Sequence, residues 1–103
     1  MQIRFERTGG FANFGLTGNF DLDTLPGEIA NPLKQLLEQV DFRSLPERLL
    51  GRSAIPDQFF YLITVTTPSW QHTVYTDDRS APEALRPLLQ KLNELTRSQA
   101  RKT

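Results

Sequence analysis

The chain has 103 residues, 12 Lys and Arg against 12 Asp and Glu, and no cysteine. That length supports one domain around one core, and zero net charge offers no overall field to gather nucleic acid or an anionic membrane surface. Without cysteine there are no disulfides, thiolate nucleophiles or cysteine zinc sites, as befits a reducing compartment.

Met1, Ile3 and Phe5 alternate with Gln2, Arg4 and Glu6, the period of a strand with one buried face. The opening residues lack the apolar stretch of a secretory signal, and no segment reaches the roughly 18 apolar residues of a membrane helix, so a soluble cytoplasmic protein is expected; separately, a monomer is expected. Gly9, Gly10, Phe11, Ala12, Asn13, Phe14 and Gly15 follow as a glycine-rich loop able to protrude and to present a large ring. Phe14, Leu16, Gly18 and Phe20 resume the alternation, so the two strands predict a hairpin with a long connection. Phe14 fits the core better than a contact. Phe11 serves equally as a displayed ring or as one folded back onto the sheet.

Asp21 to Asn31 reads as a turn-rich connection centred on Pro26 and Gly27. Asn31 is placed to cap a helix with Pro32 at its first position, and Leu33, Leu36, Leu37 and Val40 share one face of it. Asp41 to Leu50 predicts a turn and a short helical piece near Pro46, and Gly51 to Gln58 has the composition of an irregular loop carrying Ile55, Pro56 and Asp57.

Phe59 to Thr67 is dense in aromatic and β-branched residues, and both alternating sets are apolar, which predicts a central strand covered on part of both faces. Thr67 to Trp70 turns the chain into a fourth strand ending near Asp77. Ser80 and Glu83 have the spacing of a capping box, and Leu85, Leu88, Leu89, Leu92 and Leu95 mark a last helix that kinks or starts in earnest at Pro87. The expected fold is α+β in the order ββαββα: a four-stranded antiparallel sheet with two helices on one face. It forms one domain over residues 1–97, with a frayed tail at 98–103.

Catalytic chemistry is thin in this chain. His72 is the sole histidine, and its strand neighbours suggest a half-buried ring held by a hydrogen bond. One imidazole with scattered carboxylates does not build a zinc site, so no cofactor is expected. Asp77 with Asp78, and Asp21 with Asp23, lack calcium-loop spacing and suit turns or caps. The glycines at 9 and 10 lack the Lys and Ser/Thr of a phosphate loop, and basic residues do not cluster with aromatics on one strand face, which disfavours single-strand nucleic-acid binding. A binding module is the better reading, with a small adaptor as one form and a hydrolase using His72 as the weakest alternative.

Arg7 to Ala12, Asp41 to Leu50, Asp57 to Val65 and the stretch His72 to Leu89 with its Asp77, Asp78 and Ala84-Leu85-Arg86-Pro87-Leu88-Leu89 together resemble the emfourin-like bacterial proteins. The resemblance implies a protein inhibitor of thermolysin-like zinc metallopeptidases, with protealysin-type enzymes as partner. Such an inhibitor gains by filling an apolar substrate pocket and replacing the metal-bound water. A ring such as Phe11 contributes roughly 1.5–3 kcal/mol, less than the cost of association, so a second anchor is required. A carboxylate on the enzyme's zinc would supply it. If the strand from Phe59 runs antiparallel beside the first, the loop before it shares a rim with Thr8 to Asn13. Asp57 is then the expected ligand, although it also suits local amide hydrogen bonds. Asp77 or Asp78 is the second choice, and Asp21 and Asp23 belong to the far rim. Gly9, Gly10, Phe11, Ala12, Asn13, Ile55, Pro56 and Asp57 form the expected contact set. The amine of Met1 is a further conceivable ligand, about 23 Å from Gly9 at strand rise.

Overall fold

In a computed structural model of the protein, which describes residues 1–9, 15–50 and 58–101, β1 (Gln2–Gly9) pairs antiparallel with β2 (Leu16–Asp21) on one side and with β4 (Phe59–Thr66) on the other. β4 in turn pairs antiparallel with β5 (Gln71–Asp77), and β5 carries a short parallel neighbour, β3 (Arg48–Leu49). The sheet therefore has five strands in the order β2-β1-β4-β5-β3 and is mixed, where four antiparallel strands were expected. β4 is central, as its composition predicts.

The correction lies at β3. The segment around Pro46, expected to be helical, makes a single 3-10 turn at Phe42–Ser44 and then runs extended. The Tyr75 N–H donates to the Glu47 carbonyl at 2.7 Å, and the Thr76 hydroxyl to the Leu49 carbonyl at 2.8 Å. A parallel partner only two residues long leaves no periodic trace in the sequence.

α1 (Gly27–Val40) also begins earlier than expected. Pro26 is its N-cap and no side chain caps it, while Pro32 lies inside. An interior proline removes a backbone hydrogen bond. Burial of Ala30, Leu33, Leu37 and Val40 against the sheet keeps the helix intact through that loss. Asp41 closes the helix in the left-handed conformation, φ 50°, its N–H on the Glu38 carbonyl at 3.1 Å.

Ser80 and Glu83 do not form a capping box. The 3-10 turn Glu83–Leu85 follows Pro82 without a side-chain cap, and α2 (Arg86–Arg101) starts beside Pro87, as one of the two sequence alternatives requires. α2 continues through residues expected to fray, and Gln99 donates its Nε2 to the Asn19 carbonyl of edge strand β2 at 3.0 Å.

Both helices cover one face of the sheet. Ile3, Phe5, Phe20, Ile63, Val65 and Val74 form one apolar cluster with Leu33, Leu37, Leu88 and Leu92. α2 crosses β2 at Gly18, where a Cβ would sit 2.5 Å from the Thr96 Oγ1 and 3.0 Å from the Phe20 ring, so only glycine permits this approach. Among the described residues, no helix is long and apolar enough to cross a membrane.

Candidate functional site

Strand pairing brings two chain segments to one rim of the sheet. Gly9, last in β1, is the partner of Phe59, first in β4, and Thr8 is the partner of Phe60. Gly9 holds φ +97°, and a Cβ there would collide with the Gln58 carbonyl oxygen. The root of one connection thus lies against the root of the other, at a separation that only a side-chain-free residue permits. Leu16 of β2 and Leu49 of β3 end at this same rim, as does Asp77 of β5, opposite Phe60.

Of the expected contact residues, Gly9 is described; Gly10, Phe11, Ala12, Asn13, Ile55, Pro56 and Asp57 lie outside the described residues, as does Phe14. The described alternatives can be judged directly. Asp77 is 2% exposed, and its Oδ1 accepts the backbone N–H of Arg79 at 3.0 Å and of Ser80 at 2.7 Å, while its Oδ2 accepts the Ser80 hydroxyl at 3.2 Å. Its carboxylate thus builds the turn after β5.

Asp78 differs from its neighbour. Its Oδ1 is buried without a hydrogen-bond partner, and Arg86 donates to its backbone carbonyl at 3.0 Å. It lines a cleft of about 160 Å³ with Tyr61, Arg86, Leu89, Gln90 and Asn93, where the helical cover meets the rim. Burial, and next the Asp78 charge, hold the Tyr61 phenol above its ordinary value of 10.0, so it stays protonated at neutral pH. Arg7 completes this seam: its guanidinium lies 4.7 Å from the centre of the Phe59 ring and donates to the Asn93 Oδ1 at 2.8 Å.

The opposite rim consumes its charges locally. The Met1 amine pairs with Asp23 at 3.0 Å, and Asp21 Oδ1 accepts the Asp23 N–H at 3.0 Å. Asp21, Asp23 and the Met1 amine therefore stand at the rim away from Gly9. His72 accords with its sequence reading: its Nε2 lies 2.7 Å from the Leu45 carbonyl, which requires the proton on that nitrogen, and the ring meets Phe42 edge-on at 5.6 Å between centres. No group of three or more metal-ligating side chains occurs among the described residues.

Sequence reasoning missed the Arg7–Phe59–Asn93 seam and the Tyr61–Asp78 cleft. Arg7 occupies an inward position in the alternation of β1, opposite Tyr61, and a charged residue at an inward position was the available signal.

Comparison with known proteins adds a family. A model of the Emfourin family matches residues 5–93, most of the chain. No curated protein and no solved structure matches it.

Proposed function

This chain belongs to the Emfourin family of protease inhibitors, and we propose that its target is a thermolysin-like zinc metallopeptidase of the protealysin type. The rim that carries Gly9 enters the cleft: Phe11 and Ile55 fill apolar substrate pockets, with Gly10, Ala12, Asn13 and Pro56 beside them, and Asp57 ligates the enzyme's zinc. The observation that supports this mode is the contact between the Gly9 and Gln58 backbones, because it ties the roots of both connections to one edge. One narrow cleft can then receive an apolar plug and an anion together. A carboxylate displaces the water that would attack a substrate and neutralises metal charge, which a second apolar contact could not do. Asp78, at the same rim, is the alternative ligand.

The test is residual peptide hydrolysis by such an enzyme as the protein is titrated in. Stoichiometric loss of cleavage is expected, and undiminished cleavage at excess protein overturns the reading in favour of an adaptor. Asp57→Ala lowers potency and Asp57→Asn recovers little of it, since an amide oxygen brings no charge to the metal. Phe11→Ala weakens inhibition and leaves the melting temperature nearly unchanged. If substitution of Asp57 is silent and that of Asp78 is not, the ligand assignment moves to Asp78.

A further inference from the structure

We infer that the contact with the peptidase extends from the rim onto the uncovered face of the sheet, through Phe60, Leu62, Tyr75 and Arg48. This rests on the inhibitor reading above. Among the described residues no helix covers this face; its apolar side chains gather toward the Gly9 rim, where Glu6 stands opposite Leu62 and Thr8 opposite Phe60. In its half away from the Gly9 rim, Arg4, Thr64 and Thr73 stand in one row and Gln2, Thr66 and Gln71 in the next, all polar. In the half beside the rim, Leu62 stands opposite Tyr75, Phe60 stacks on Tyr75 with ring centres 6.1 Å apart, and the Arg48 guanidinium lies 5.9 Å from the Tyr75 ring centre. All three apolar side chains are only partly buried, and none belongs to the core cluster.

Two observations commit this patch to the same partner as the rim. The first is continuity, since Phe60 follows Phe59, the residue paired with Gly9. The second is size. The connection from β1 to β2 has six residues and that from β3 to β4 has nine, whereas a stable interface takes roughly 20–30 residues a side and about 800 Å². The shortfall must be met by surface adjoining the rim, and here that surface carries the aromatic and arginine side chains in which binding energy concentrates. A sheet with one solvated face ordinarily alternates apolar-in and polar-out, and these stacked rings break that alternation.

The experiment combines inhibition titrations with hydroxyl-radical footprinting. Phe60→Asp and Leu62→Asp should each raise the inhibition constant on the order of 30-fold, the effect of losing a central anchor, while Thr66→Asp in the polar half changes it less than about threefold. Footprinting of the unmodified protein needs no variant to fold: labelling of Phe60, Leu62 and Tyr75 should fall in the complex, and that of Trp70, in the turn at the far rim, should not. If the unmodified protein inhibits while the two variants inhibit as well as it does and the footprint is unchanged, the rim reading stands and this extension is overturned. If the unmodified protein fails to inhibit, the functional reading itself falls. A footprint already present in the free protein, fading on dilution, would assign the patch to a second copy of the chain and overturn the proposal.

Discussion

The same strands make two faces that do different work. Under the helices, Phe5, Ile63, Val65 and Val74 are fully buried, and the approach of α2 is close enough to forbid a side chain at Gly18. On the other face hydroxyls, amides and charges dominate, and the apolar residues gather beside one rim. The contrast separates roles. The covered face accounts for stability, and the uncovered face with its rim is free to serve recognition, because little of the fold depends on it.

The largest effect expected from breaking this contrast is at Phe5, which stacks on Tyr61 at 6.0 Å and is wholly buried. Phe5→Ala should cost about 3–5 kcal/mol by urea or guanidinium unfolding, whereas Leu62→Ala on the uncovered face should cost well under half as much. Equal losses would mean that the uncovered face is packed. Gly18→Ala should come next, at about 1–3 kcal/mol, because the new methyl meets both Thr96 and the Phe20 ring. Gly15→Ala is the control. Among the described residues nothing lies within 4 Å of a Cβ there, so that change should be neutral or slightly stabilising through the unfolded chain.

Much of the covered face was legible in the sequence, because burial on one side stamps period two on β1 and β2 and period 3.6 on the leucines of both helices. What escaped depended on contacts distant in the chain. β3 exists because Tyr75 and Thr76 offer it hydrogen bonds, and nothing within 48–49 announces that. Pro32 was read as a helix start because proline alone favours that place, yet the burial of Ala30 and Leu33 on either side carries the helix through it. Phe60 and Leu62 are visible as a second apolar set, which predicts a second cover, and the described structure places none there. At the site, the sharing of a rim by the two loop roots follows from antiparallel pairing and was legible. The separate fates of Asp77 and Asp78 were not, since only the turn geometry decides which carboxylate is committed to backbone amides.

Tyr61 marks where the cover thins toward the rim, and it offers a test by pH. Its neutral phenol is favoured in the folded state by burial and then by the Asp78 charge. Below the ordinary value of 10.0 both folded and unfolded chains hold the proton and the group adds no pH dependence. Above it the unfolded chain releases its proton first, so stability falls as pH rises toward and through the folded value. Tyr61→Phe should therefore flatten the decline in melting temperature between about pH 9 and about pH 11. Identical slopes in the two proteins would show that the phenol is as wet as the uncovered face.

The smallest expected effect probes how wet that face is. Thr64 and Thr73 stand opposite each other with hydroxyl oxygens 2.9 Å apart, on the polar half. Valine keeps the β-branched shape and removes only the hydroxyl, so a double-mutant cycle of Thr64→Val and Thr73→Val isolates the hydrogen bond. With water free to replace either partner, the coupling should be about 0.2–1 kcal/mol in denaturant unfolding. A coupling well above that would require both hydroxyls to be shielded from solvent, since only then does the loss of one leave the other without a substitute partner. Added peptidase should not change the solvent exposure of this pair, because it belongs to the half of the sheet that the proposed contact leaves bare.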